Sequence, residues 1–264
     1  MDNPVIQAML NRKSIRKYRD QEPASETVAT IVRAGQQAPF AAQLYSILLS
    51  RKKKQNPFGA SLLFTICVDM HRLELIMARR NWQVITNDLD ILLLGIQDAS
   101  LMAQNMVMAA ESLGLGSCFL GRPYHRAERI AREYRLPERV FPLVQLAMGY
   151  PAEDPPPRPR YPLEFVLFED QYPSFSEEAI QEAMQSMDQG YLAQDYYRNL
   201  RAMIPLKGGR PETFSFESYG WTEHISRKWG QWFPSSKTLL EQLKKCGFDI
   251  CESKQKKKAK TSKV

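Results

Sequence analysis

Apolar positions recur along this chain with two spacings, and each predicts an element. Asn3-Pro4 followed by Val5, Ile6, Met9 and Leu10 reads as a capped helix with one apolar face. Val28, Ile31 and Val32 behind a capping Ser25 predict a second helix. Ala38-Pro39 closes it, because the residue before proline avoids helical backbone. Leu44 to Leu49 and the continuous apolar run Leu62 to Val68 predict strands, separated by the basic turn Arg51 to Gln55.

From Leu89 to Leu115 the pattern changes. Ile96, Ala99, Ala103, Met106, Ala110 and Leu113 follow helical spacing, while Leu92, Leu93, Leu101, Met102, Val107 and Met108 fill the other side. A helix this apolar around its circumference is buried on more than one face, which predicts a core helix that also meets a second subunit. Gly114 and Gly116 end it, and Ser117 to Leu120 enters a short strand. A surface helix over Ala127 to Tyr134 and a buried strand over Leu143 to Met148 follow, the latter ending at Gly149-Tyr150-Pro151. The proline run Pro155 to Pro162 fixes an extended path. Behind it, Leu163 to Phe168 reads as a fifth strand that can be carried away from the first four. Ser176, or Ser174 with Glu177, caps a long helix to about Ala202. Lys207-Gly208-Gly209-Arg210-Pro211 is a flexible basic connection, and Ser235 or Ser236 opens a last helix carrying Leu239, Leu240 and Leu243, closed by Gly247. No internal repeat is visible.

Composition adds little until charge is located. With 44% hydrophobic and 25% charged residues over 264 positions, this is an ordinary folded chain of one large domain or two modest ones. It contains no apolar run of eighteen residues and no leader-like start, so no membrane span is expected. The cysteines Cys67, Cys118, Cys246 and Cys251 lack metal-ligand spacing and read as reduced thiols of a cytoplasmic protein, although Cys246 and Cys251 could sit near one another. The net charge of +7 falls to +1 once the six lysines between Ser253 and Val264 are set aside. That tail reads as a disordered extension, and a nucleic-acid function is not expected from the near-neutral remainder.

Arg12 and Arg16 share a face whether the backbone is helical or extended, and Ser14 joins them if it is extended. Two guanidiniums and a hydroxyl suit a phosphate, because the forks match its oxygens with charge-assisted hydrogen bonds. Arg158 and Arg160 flank a single proline, so their directions are largely preset, and they resemble the other half of an anion site. A solvated basic turn and a proline linker with two outward arginines remain alternatives on pattern alone. Gly114-Leu115-Gly116 follows a helix instead of opening one, so it is not a dinucleotide fingerprint, and no phosphate-binding loop appears. His71, His125 and His224 are isolated, and no nucleophile-base-acid set exists, so a bound cofactor would carry any redox or transfer chemistry.

Four motifs in order then resemble the nitroreductase family. Arg12-Lys13-Ser14-Ile15-Arg16-Lys17-Tyr18 resembles its N-terminal flavin-phosphate motif, and Ala38-Pro39 stands where its second flavin-contacting loop begins. Ala103 to Cys118 resembles its central helix and glycine turn, and Gly149-Tyr150-Pro151 with Arg158-Pro159-Arg160 its closing phosphate segment. Trp221-Thr222-Glu223-His224-Ile225 is similar to the major oxygen-insensitive nitroreductase and flavin reductase subgroup. The resemblance implies an α+β fold around a mixed central sheet flanked by helices, in an interlocked homodimer with the strand Leu163 to Phe168 exchanged to the partner. It treats residues 1–252 as one FMN-binding domain with a helical extension over 174–252, followed by the tail 253–264.

It further implies an FMN-dependent oxidoreductase that takes electrons from NAD(P)H and passes them to nitroaromatics, quinones or related acceptors by a ping-pong route. Arg12, Ser14, Arg16, Arg158 and Arg160 would hold the phosphate and ribityl chain, and Lys13 would lie near the ring edge. Leu120 and Gly121 would offer backbone groups near the reactive flavin nitrogen. Pro39, Phe40, Ala41 and Gln43 form the second loop, and Gln55 stands in for a usual glutamine. The chain departs from the family where a serine, an asparagine and a glutamine are usual: Phe40, Gln43 and Tyr45 occupy those positions. Phe40 or Tyr45 could stack beside the flavin or close the pocket. Arg201, Lys207, Arg210 and Arg227 could attract the extra phosphate of NADPH. A flavin or ferric-chelate reductase, and a flavin-binding dimer without nicotinamide turnover, remain open alternatives.

Overall fold

The structure, a computed structural model, describes residues 3–232 and 235–250. Cys251 and the lysine-rich tail lie outside the described residues. The chain divides into two compact units, one running to Pro155 and resuming at Ser235, the other holding Pro156–Pro234.

The first unit contains α1 (Pro4–Asn11), α2 (Ser25–Gln36), β1 (Tyr45–Ser50), β2 (Leu62–Asp69), α3 (His71–Arg79), α4 (Asp88–Ser112), β3 (Gly116–Leu120), α5 (Ala127–Tyr134) and β4 (Val140–Gly149). The second contributes α6 (Glu177–Ala193), α7 (Tyr196–Leu200) and α8 (Trp221–Gln231), and the first resumes with α9 (Ser236–Lys245). Thus α9 leaves the helical extension expected over 174–252 and packs on α5 in the first unit.

The four strands lie in the order β1-β2-β4-β3 and pair antiparallel throughout. Parallel pairing is confined, among the described residues, to the bridge between Ser14 and Ser117, so the sheet is less mixed than the resemblance implies. Alternation splits β2 and β4 into two faces. Leu62, Phe64, Ile66, Leu146 and Met148 pack with Ala99, Met102, Ala103, Met106 and Ala110 of α4 and with Val28 and Ile31 of α2. Leu63 and Ala147 look the other way, towards Tyr18 and Leu120. Every residue of β2 is buried, as expected of a central strand covered on both sides.

Helix α4 is long and apolar enough to cross a membrane by length and composition, but half of that stretch is buried against the rest of the unit. Its other side exposes Leu89, Leu93, Leu94, Ile96 and Leu101, and α1 exposes Val5, Ile6, Met9 and Leu10. Gly114, at a positive φ of 75°, ends α4 in a backbone region that costs other residues more. In the second unit, Met187, Tyr191, Tyr197 and Tyr219 form a small aromatic core, with Tyr191 stacked on Tyr197 at 5.6 Å.

Two expected elements differ. Leu163 to Phe168 is not a strand: Leu163–Phe165 closes a 3-10 turn in which the Val166 N–H donates to Leu163 O at 3.0 Å. Pro162 presets the dihedral that opens such a turn, and a strand exists only with a neighbour to pair with. The long helix to Ala202 breaks at Gln194. The Gln194 side chain is diverted to the proline run, donating to Pro157 O at 2.9 Å and accepting from Arg158 at 2.9 Å, and Asp195 turns left-handed at φ 46°.

Candidate functional site

The segment from Arg12 to Tyr18 leaves α1 and runs extended beside β3. Ile15 N–H donates to Ser117 O at 2.9 Å, Ser14 forms a bridge with Ser117, and Tyr18 forms one with Pro151. Gly116 makes this close approach possible: a Cβ there would lie 2.4 Å from the Ile15 side chain. The Tyr18 hydroxyl donates to Ile15 O at 2.6 Å and closes the segment on itself. Glu153, which nothing in the sequence pattern singled out, accepts the Arg16 and Lys17 backbone N–H groups and anchors the segment from the far side.

With the backbone extended, Arg12, Ser14 and Arg16 act on one group, the Cys118 thiol of β3. Burial pushes that thiol up, while the Arg16 charge, a hydrogen bond from Ser14 and the Arg12 charge pull it back. Burial raises the Glu111 carboxyl at the end of α4, and the Arg12 and Lys13 charges pull it only part of the way back. Both guanidiniums are half-buried, and neither has a hydrogen bond or ion pair among the described residues. Lys13 differs, because it pairs with the exposed Asp154. The buried Ser117 hydroxyl beside this segment is likewise without a partner. Uncommitted forked donors and a hydroxyl brought to one strand edge are the chemistry a phosphate monoester requires, so the site fits that group.

The second loop is built by a residue that sequence reasoning missed. Asp98, buried within α4, accepts from Ala41 N–H at 2.6 Å, Ala42 N–H at 3.1 Å and Leu44 N–H at 2.9 Å. Its signal was the presence of a single acid between Asp90 and Glu111 in an otherwise apolar helix. Pro39, Phe40, Ala41 and Gln43 are all exposed on this loop, and Gln43 holds a left-handed φ of 52°. Arg72 fixes it, donating to Gln43 O at 3.3 Å and to Tyr45 O while pairing with Asp69 at 2.9 Å. Tyr45 itself is buried in the core with residues of α2 and α4, whereas Phe40 is exposed.

Leu120 pairs with Gln145 at the end of β3, and a Cβ on Gly121 would meet nothing, so the backbone there is open to approach. Gln55 lines a separate cavity, over β1, β2 and β4. In the second unit, Arg158 stacks on Tyr196 at 3.7 Å and donates to Gln194, and Arg160 donates to the carbonyls of Arg158 and Pro159 at 2.9 and 3.0 Å. Arg227 is buried and fully engaged with Glu212, Glu223 and Ile204 O, so it is not free to attract a nucleotide phosphate.

An α+β unit with two half-buried guanidiniums at its sheet edge is what the structure offers, and comparison places it in a family. The family model described as the nitroreductase family matches residues 9–56 and 48–150, and the chain belongs to that family. A Staphylococcus haemolyticus protein named NADPH-dependent oxidoreductase is 31% identical over 94% of this chain and 99% of its own length. A Bacillus subtilis protein named FMN reductase (NADPH) is 29% identical over 81% of this chain and 89% of its own. Among solved structures, NfrA1 of B. megaterium superposes with a TM-score of 0.77 at 27% identity, covering 93% of this chain and 99% of that one.

Proposed function

We propose that this chain is an FMN-dependent oxidoreductase that takes hydride from NAD(P)H and, once the nicotinamide has left, reduces a nitroaromatic, quinone or related acceptor. The observation that carries this reading is the pair of uncommitted guanidiniums, Arg12 and Arg16, beside Ser14 at the β3 edge. The names of the relatives, NADPH-dependent oxidoreductase and FMN reductase (NADPH), support the cofactor and the donor. Bound FMN supplies the two-electron chemistry. Arg12, Ser14 and Arg16 bind its phosphate, and Lys13 sets charge nearby. Leu120 and Gly121 offer backbone groups towards the ring, and the loop Pro39, Phe40, Ala41 and Gln43, held by Asp98, covers it and excludes water. Arg158, Arg160 and Gln55 are carried to the site by resemblance alone.

The exposed apolar residues of α1 and α4, two helices in contact, support a homodimer, since clustered exposed apolar side chains mark interaction surfaces. A cytoplasmic enzyme fits the free, buried thiols Cys67, Cys118 and Cys246. A flavin reductase is the second reading, favoured by the name of the Bacillus subtilis relative. Anaerobic addition of NADPH, then NADH, to the flavin-loaded protein is expected to bleach the yellow colour, and the acceptor that restores it fastest chooses between the two readings. Colour that persists with both donors contradicts an enzymatic role.

A further inference from the structure

The sheet face turned away from α4 carries a polar floor that the flavin reading does not use. Thr65, fully buried, interrupts the apolar run of β2 and accepts from the Gln145 amide of β4 at 2.9 Å. The Tyr134 phenol of α5 hydrogen-bonds with Ser50 and Thr65, against the burial that pushes its ionisation up. Ser50 donates in turn to Asn56 at 3.1 Å, and Asn56 donates to Ala60 O at 2.9 Å. A connected polar network inside a sheet costs desolvation, and an apolar set of the same shape would pack there without that cost.

Above this floor lies a cavity of about 270 Å³, lined by Gln145, Asn56 and Tyr134 and by the exposed Arg126 and Arg129. Neither arginine has an ion pair or hydrogen bond among the described residues, although Glu133 stands one turn beyond Arg129. The basic turn Arg51 to Gln55 borders the same cavity through Gln55. The cavity lies over β1, β2 and β4, whereas the Arg12–Arg16 cluster sits beyond β3 at the sheet edge, and the two share no residue.

We propose that this cavity is a second ligand site, for a small oxyanion-bearing organic molecule whose carboxylate or phosphate meets Arg126 and Arg129 and whose polar body meets Gln145 and Tyr134. Forked donors without partners above a pre-bonded amide and phenol supply charge recognition and orientation together. Apart from Gln55, which the resemblance carries to the flavin, the site uses none of the residues of the flavin reading.

The test is calorimetric titration of citrate and of pyrophosphate into the full chain saturated with FMN, at constant ionic strength. Saturable binding of either is expected, with stronger citrate binding marking a carboxylate ligand and stronger pyrophosphate binding a phosphate ester. The Arg126→Gln/Arg129→Gln double variant is expected to bind at least about tenfold more weakly. Arg132→Gln, on the same helix but outside the cavity, is expected to bind as the parent does. Binding retained in Arg12→Ala/Arg16→Ala, whatever its flavin content, keeps this result separate from the flavin site. No saturable heat with either probe, or an equal loss in Arg132→Gln, overturns the proposal.

Discussion

The arginines of the first unit's sheet edge and those of the second unit have the same chemistry and opposite circumstances. Arg12 and Arg16 stand half-buried with no bonded partner among the described residues, although Glu153 holds the adjacent backbone. Arg227 is 3% exposed and donates to two carboxylates and a carbonyl, with the Phe214 and Tyr219 rings 5.5 and 5.0 Å away. A guanidinium whose donors are all used holds a fold together. One whose donors are idle is available for a ligand and contributes little to stability. Sequence pattern counts both as positive charge, and only their neighbours separate them.

The comparison breaks most visibly at Arg227. Removing it strands Glu212 and Glu223 and uncaps Ile204 O, so Arg227→Ala is expected to cost about 3 kcal/mol in denaturant unfolding, discounted from a fully buried pair because both acids are partly exposed. Loss below about 1 kcal/mol would place this arginine with the idle ones. Asp98→Ala comes next. It leaves three backbone N–H groups of the second loop without their acceptor and is expected to cost about 2 kcal/mol in the same assay, with faster proteolysis near residues 40–43. By contrast, Arg16→Ala is expected to change the stability of the flavin-free protein by less than about 0.5 kcal/mol, because its guanidinium has no hydrogen bond or ion pair to lose among the described residues.

The smallest effect is a pH signature. Hydrogen bonds from Arg227 hold the Glu212 carboxyl down at about 2. Its folded value lies below the unfolded one, so this stabilisation is complete above the ordinary carboxylate range and is lost as pH falls towards 2. Comparing Glu212→Gln with the parent by denaturant midpoint, the gap is expected to be widest near neutrality and to close in acid. A gap that stays constant with pH would show that the carboxylate charge is not what Arg227 uses.

How much of this was legible in advance follows the same physics. The strands around Ile66 and Leu146 and the spine carrying Met102 and Met106 were readable, since burial writes an apolar period into sequence. Helix α8 was not: its one buried residue is Arg227, so its inward face carries a charge instead of an apolar stripe. Leu163 to Phe168, expected as a strand exchanged to a partner, closes a 3-10 turn in the single chain, because an apolar run does not say whether a pairing neighbour exists. The Arg12-Ser14-Arg16 face was readable from an even spacing alone. Asp98 and Glu153, which hold the two segments in place, act through backbone N–H groups that no spacing rule marks.

The most direct measurement is the affinity of the flavin-free protein for FMN and for riboflavin, which lacks the phosphate, in the parent and in Arg12→Ala/Arg16→Ala. Two idle guanidiniums that recognise a phosphate predict FMN binding weakened about a hundredfold or more in the double variant, with riboflavin binding unchanged. An equal loss for both flavins, or no loss for FMN, would contradict it.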